Sequence, residues 1–260
     1  MVGLTPGIEA IGRQLAIARR DKGLAESIDL RSIESMEAAL SVQTEAVVAF
    51  NDEPIGWTLA GTSDATCRLL RCDAPIVGPI FSETTLRSGE HLPVSHTMLG
   101  VGAQFAFLFG RSFPQTESET LDFRTIADTI LSCHISLQVV GRRVASAVPL
   151  NAWTATADFG LSEIYVEGAE IHNWQDKVAT VPAILRIDGH VNATGSGADL
   201  MGHPLAPALW LCKHLRSRGG CIEAGDIVAT GSCTGLVQIS PGHVVTGDFG
   251  DLGSVELHLD

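Results

Sequence analysis

Apolar positions recur at helical spacing at the start of the chain. Ile8, Ile11, Leu15 and Ala18 follow Pro6, and the run closes at Lys22-Gly23, with proline at the opening and glycine past the end. A second helical pattern, from about 32 to 50, carries Ile33, Met36, Leu40, Val47 and Val48, with no Pro or Gly inside it. After Asn51 and Pro54 the texture changes to short apolar runs broken by Gly, Pro, Ser and Thr. The runs at 56–60, 103–109, 163–166, 183–187, 227–230, 243–245 and 255–259 read as strands. Two helices are predicted among them. One covers 121–138, with Phe123, Ile126, Ile130 and Leu131 inward. The other opens at Pro204, carries Leu205, Ala208, Leu209 and Leu215, and stops at Gly219-Gly220. Strands and helices do not alternate regularly, so the pattern predicts an α+β fold: a helical segment over 1–50 and a β-rich domain over 51–260.

Composition narrows the classes of function. The 260 residues are 45% hydrophobic and 18% charged, enough for a large core. Thirty acidic residues against 17 Lys and Arg give a formal charge of −13, which argues against nucleic acid and anionic membranes as partners. Every apolar stretch is interrupted well before the roughly 18 residues of a spanning helix. The opening residues lack a basic region followed by an apolar one, so the expected location is cytoplasmic. Cys67, Cys72, Cys133, Cys212, Cys221 and Cys233 show no paired spacing and read as reduced thiols. The high apolar content with little Lys suits subunit interfaces, and a homo-oligomer is expected.

Common catalytic motifs are missing. Gly100-Val-Gly102 and Gly195-Ser-Gly197 lack the third glycine of a dinucleotide fingerprint, and Ser232 is displaced from the centre of a nucleophile elbow. No paired-histidine zinc motif occurs among the nine histidines. His134, near Gln138 on the predicted 121–138 helix, is the histidine best placed to face a pocket.

An ordered series over the last sixty residues carries more information: Gly202-His-Pro-Leu-Ala-Pro-Ala-Leu-Trp210, Ile222-Glu-Ala-Gly-Asp-Ile-Val-Ala-Thr-Gly-Ser232, Pro241-Gly242 and Gly250-Asp-Leu-Gly-Ser-Val255. With Gly56-Trp-Thr-Leu-Ala-Gly-Thr-Ser63, Ala106-Phe107 and Ala157-Asp158, it resembles the 2-keto-4-pentenoate hydratase / 4-oxalocrotonate decarboxylase group of the fumarylacetoacetate hydrolase superfamily. The resemblance implies a mixed β-roll surrounded by helices. It also implies a magnesium or manganese ion that chelates a 2-keto carboxylate, held by a Glu-x-Glu pair before an Ala-Phe strand and by a third Glu, with a Lys beside the substrate.

At those positions this sequence reads differently. The Glu-x-Glu slot is Gly102-Ala-Gln104, the third Glu aligns with Gln138, and the Lys slot is Thr58. A glycine and two neutral amides do not supply the anionic oxygen ligation that magnesium requires, so no cofactor and no metal are expected. Asp158 matches a family acid and reads either as a general base or as a structural acid, and Arg143 matches a family arginine. Gln104 and Gln138 either donate amide hydrogen bonds to a substrate carbonyl or fill the former Glu volumes. Thr230, Ser232 and Thr234 are candidates for binding a substrate carboxylate, with Thr58, Thr62 and Ser63 nearby.

The expected function is a metal-independent lyase, a hydratase or decarboxylase, acting on a small oxo or dienol carboxylic acid from aromatic catabolism. The alternatives are an inactive homologue that partners a paralogous enzyme or binds a small molecule, and a repurposed isomerase, hydrolase or cyclase.

Overall fold

The computed structural model describes residues 6–25, 28, 30 and 33–260, so the expectations for the first five residues and for Ser32 lie outside the described residues. Two helices open the chain, α1 (Pro6–Arg20) and α2 (Met36–Phe50). The second begins later than its apolar pattern, because Ser35 is extended and its hydroxyl accepts the N–H of Ala38 at 3.1 Å, a side-chain N-cap. Ile33 is buried ahead of this cap.

The first part of the roll contains β1 (Pro54–Ala60), α3 (Asp64–Leu70), β2 (Ile76–Phe81), β3 (Thr85–Arg87), β4 (His91–Leu92) and β5 (Met98–Phe109). Next come α4 (Phe123–Ala127), β6 (Ile130–Gly141), α5 (Ala152–Ala157), β7 (Ser162–Glu170), β8 (Pro182–Ile187) and β9 (His190–Ser196). The chain ends with α6 (Leu205–Ser217), β10 (Ile227–Ala229), β11 (Val244–Asp248) and β12 (Ser254–Leu259). One sheet runs β2-β1-β10-β5-β6-β7-β3 and the other β4-β12-β11-β8-β9, with parallel and antiparallel neighbours in both. This is the expected α+β architecture, a mixed β-roll with helices around it.

The central core lies on one face of the seven-stranded sheet. Val101, Ala103, Phe105, Phe107 and Phe109 of β5 alternate inward beside Cys133, Ile135, Leu137 and Val139 of β6. Phe105 meets Phe249 with ring centroids 5.1 Å apart, and Phe107 meets Trp174 at 5.2 Å. Burying each such side chain stabilises the fold by about 1.5–3 kcal/mol.

The predicted helix over 121–138 is corrected by β6. Only a short capped turn, α4, forms there; Asp122 accepts the Thr125 N–H at 2.8 Å. From Cys133 onward the apolar residues recur every second position, and β6 pairs along β5 from Met98↔Gly141 to Phe109↔Ile130. The apparent helical spacing of Phe123, Ile126 and Ile130 straddles two elements, and Leu131 is exposed. Gln138 and His134 therefore sit on a strand, where alternation decides which way they point.

The helical segment packs on the roll through a second cluster. Ile11, Leu15, Val42, Ala46 and Phe50 meet Phe81, Val144 and Phe159. Gln43 crosses this boundary, its amide donating to Val77 O at 2.8 Å and Thr156 O at 2.7 Å. These bonds satisfy carbonyls that burial would otherwise leave unpaired.

Candidate functional site

Strand register collects polar side chains on the face of the seven-stranded sheet opposite the core. Thr58 pairs with Ala229 and Ala229 with Ala106, while Gln104 pairs with Ser136, Gly102 with Gln138, and Gln138 with Tyr165. Directly paired residues project to the same side, as do residues two apart on a strand. Thr58, Gln104, Ser136, Gln138 and Tyr165 thus share one face, and all are buried. Burial, then the nearby Glu167 carboxylate, push the Tyr165 hydroxyl above its ordinary pKa, so it is a neutral hydrogen-bonding group here.

Gln104 and Gln138 line a cavity of about 220 Å³. Thr66, Leu69 and Leu70 of α3 cover it, the loop after β10 contributes Gly231, Ser232 and Leu236, and Leu59, Leu99, Val140, Leu150 and Leu161 complete the apolar wall. Leu69, Leu99 and Leu236 are partly exposed to solvent and form its mouth. The Gln104 carbonyl oxygen accepts the Gly231 N–H at 3.0 Å, which orients the amide. Its Nε2 lies 3.5 Å from Gln138 Oε1, a long bond, and Gln138 Nε2 donates to Val139 O at 3.0 Å. An amide NH₂ carries two donors, so each glutamine retains an N–H beyond these bonds. No titratable side chain lines this cavity among the described residues.

The loop 230–235 lies against β5, and its hydroxyls are engaged there. Thr230 Oγ1 accepts from Phe105 N at 3.2 Å and donates to Phe105 O at 3.1 Å, and Thr234 Oγ1 accepts from Ala103 N at 3.1 Å. Ser232 Oγ donates to Gly235 O at 2.5 Å and accepts from Thr234 N at 3.2 Å. The expected carboxylate-binding trio therefore extends the β10–β5 ladder with side chains instead of presenting free hydroxyls. Gly102 is what permits this close approach. A Cβ there would stand 2.3 Å from Ser232 Oγ and 2.6 Å from Gly235 O.

Ser63 caps α3, accepting the Thr66 N–H at 3.4 Å, while Thr66 Oγ1 accepts the Ser63 N–H at 3.2 Å. Ser63, Thr62 and Thr234 border a separate, more open cavity of about 680 Å³. The Thr58 and Thr62 hydroxyls are buried without a hydrogen-bond partner among the described residues.

Asp158 and Arg143 do not border the glutamine cavity. They form a buried ion cluster at the end of α5. Asp158 Oδ1 accepts Arg143 Nε and Oδ2 accepts the Arg143 backbone N–H, both at 2.6 Å, and Arg143 Nη1 also pairs with Glu163. Gly141 leaves the room that Glu163 occupies, since a Cβ there would lie 2.3 Å from Glu163 Oε2. Burial alone would lower the Arg143 pKa, but Asp158 and Glu163 more than offset it and hold the guanidinium above its ordinary value. Arg19 of α1 adds a second buried guanidinium. It bonds the carbonyls of Ser162 and Glu163 and is stacked against Phe50, Phe81 and Phe159 at 5.3, 5.0 and 4.9 Å. Of the two readings of Asp158, the geometry matches the structural acid. His134 bonds Ser132 at 2.9 Å and Gly168 O at 3.3 Å, apart from the glutamine cavity.

Sequence reasoning missed Tyr165, Ser136 and the leucine wall. The signal for Ser136 and Tyr165 was available as period-two alternation along β6 and β7. The leucines come from α3, from two separate strands (β1 and β5) and from the connecting segments, and no local pattern gathers them.

No family model matches the chain. A 2-keto-4-pentenoate hydratase from Paraburkholderia xenovorans (strain LB400) is 24% identical over 231 residues, spanning 88% of this chain and 84% of the relative. A 4-oxalocrotonate decarboxylase from Pseudomonas putida is 34% identical over 103 residues, 39% of each chain. Among solved structures, a 4-oxalocrotonate decarboxylase from Pseudomonas putida G7, complexed with magnesium and adipate, shares the fold with TM-score 0.86. Its identity is 20%, over 97% of both chains. These comparisons support the likeness to the 2-keto-4-pentenoate hydratase / 4-oxalocrotonate decarboxylase group of the fumarylacetoacetate hydrolase superfamily.

The divalent ion implied by that likeness does not fit the residues present. Positions 102, 104 and 138 do converge, with Gly102 paired to Gln138, but they offer a hydrogen and two amides where a hard cation needs carboxylates. A glutamate side chain at 102 has no room while the 230–235 loop lies on β5. No group of three or more His, Cys, Asp or Glu side chains forms a metal cage among the described residues.

Proposed function

We propose that the protein is a lyase that works without a resident divalent cation, and that decarboxylation of a small oxo acid is the reaction its cavity suits best. The names of its relatives support the lyase class. The observation that carries the finer reading is the Gln104–Gln138 amide pair in a leucine-walled cavity with no titratable lining residue among the described residues. Hydration of an alkene needs an acid–base group beside the reacting carbon. Decarboxylation needs only a place for the electron pair.

In a substrate with a carbonyl β to the carboxylate, the bond to the carboxylate carbon breaks and its electron pair moves into the carbonyl. Carbon dioxide leaves, and an enolate oxygen accepts N–H bonds from Gln104 and Gln138. Water entering past Leu69, Leu99 and Leu236 then protonates carbon, giving the ketone. Gly231 holds Gln104 in place through its Oε1, so little reorganisation is needed as charge develops. The apolar wall withholds water from the carboxylate, and expelling neutral carbon dioxide relieves that cost.

The test is release of carbon dioxide from 3-oxohexanoate in the presence of EDTA, corrected for spontaneous loss. We expect an enzyme-dependent rate that falls by about 100-fold in Gln104→Leu, the effect of losing one oxyanion donor. A rate no greater than buffer would leave a non-catalytic binder as the better reading.

A further inference from the structure

We infer that the departing carboxylate is the only charge the substrate carries, so that the product is an uncharged ketone with an aliphatic tail. This rests on the lyase reading and names the substrate class for the same cavity.

Three observations converge on it. First, among the described residues the lining contains no Lys, Arg or His, and its polar contributions are two amides, two hydroxyl side chains and backbone. Ser232 is internally satisfied, and Thr66 Oγ1 donates to Ser63 O at 3.0 Å while accepting the Ser63 N–H, so the amides are the free donors. A second carboxylate in this space would lose its hydration with no cation in the lining to offset it. Second, the mouth is itself apolar. Leu69, Leu99 and Leu236 are large side chains that remain exposed, and all three line this one cavity. A hydrocarbon tail that passes this rim or rests on it covers surface already in contact with water. Third, the chain carries a formal charge of −13, which repels dianions more than monoanions before any contact is made.

The volume sets the size of the ligand. An apolar protein cavity of about 150 Å³ accommodates benzene, so about 220 Å³ corresponds to about nine non-hydrogen atoms. 3-Oxohexanoate has that size. A dicarboxylate such as 3-oxohexanedioate places a second charge among the leucines.

The matched products separate binding from catalysis. Decarboxylation of 3-oxohexanoate gives 2-pentanone, and that of 3-oxohexanedioate gives 4-oxopentanoate, which has the same five-carbon skeleton with the terminal methyl replaced by a carboxylate. Calorimetric titration of the full-length protein with each in EDTA is expected to show 2-pentanone binding at least tenfold more tightly. Leu99→Lys, at the exposed mouth, places an ammonium at the opening and is expected to shift this ratio toward 4-oxopentanoate by at least tenfold. Equal or tighter binding of 4-oxopentanoate to the unmodified protein overturns the inference. So does binding of neither compound, or a ratio unmoved in Leu99→Lys. If 2-pentanone is preferred but no carbon dioxide is released from 3-oxohexanoate, the ligand class stands and the lyase reading fails. If 3-oxohexanedioate is decarboxylated while 2-pentanone is excluded, the lyase reading stands and the ligand class fails.

Discussion

Replacing Asp158 by Asn tests whether that residue belongs to the chemistry or to the frame. Both carboxylate oxygens face donors on Arg143, Oδ1 toward Nε and Oδ2 toward the backbone N–H, each at 2.6 Å. An Asn side chain can satisfy only one of these, and its NH₂ must confront the other donor. The substitution also removes a negative charge from a site where Arg143 and Asp158 side chains are each about 1% exposed. Among the described residues Arg143 then retains only Glu163 as a carboxylate partner, and Arg19 lies close enough to repel it. Breaking a buried pair by removing one member costs about 3–5 kcal/mol. For a chain of this size that corresponds to a fall in Tm of about 6–20 °C. The assay is urea unfolding followed by fluorescence and by far-ultraviolet circular dichroism. Turnover per folded molecule should be measured on the same sample well below the transition. The expected outcome is a large loss of stability with turnover retained to within about threefold, since Asp158 does not border the glutamine cavity. A stability change below about 1 kcal/mol with turnover abolished would refute this reasoning and return Asp158 to the reaction itself.

Three other substitutions follow from the structure. Gly102→Ala forces the 230–235 loop away from β5 and should destabilise by about 1–3 kcal/mol in urea unfolding; Ser232→Ala should restore only part of this, because the Gly235 carbonyl also lies 2.6 Å from the added Cβ. Asp226 is partly buried, and burial raises its pKa although it accepts from Trp57 and from the Glu223 N–H. Because the folded carboxyl holds its proton more tightly than the unfolded one, stability falls as pH rises from about 4 through the folded value. Asp226→Asn should therefore flatten unfolding curves across that window and be no less stable than the parent at pH 7; a steeper pH dependence would be the wrong sign.

The strands with clean alternation or dense apolar runs were legible in the sequence, among them β1, β5, β7 and β12, as were the N-terminal helices and α6. Failure came where two elements meet in one apolar run. Phe123, Ile126 and Ile130 mimic a helix, although the first two lie on α4 and the third opens β6. Only long-range pairing with β5 resolves this, and local spacing does not encode such pairing. β2 was missed because it is buried along its whole length and shows no alternation to read. In the site, Gln104 and Gln138 were identified by position along the chain, and the register brings them within reach of one another. Asp158, Thr230 and Thr234 were also identified, but their side chains bond to the protein itself. A residue type states what hydrogen bonds are available, whereas packing decides which partner receives them. The motif around Thr230 is equally well explained by its bonds to β5, and that alternative can be seen only once β5 lies beside the loop.

On the proposed function, two amides in an apolar cavity do the work for which a hard cation would need carboxylate ligands. Its most direct test is the decarboxylation rate of 3-oxohexanoate in EDTA and again in excess magnesium, with the spontaneous rate subtracted in each. The same enzyme-dependent rate is expected in both conditions. An enzyme that is silent in EDTA and restored by magnesium would contradict it.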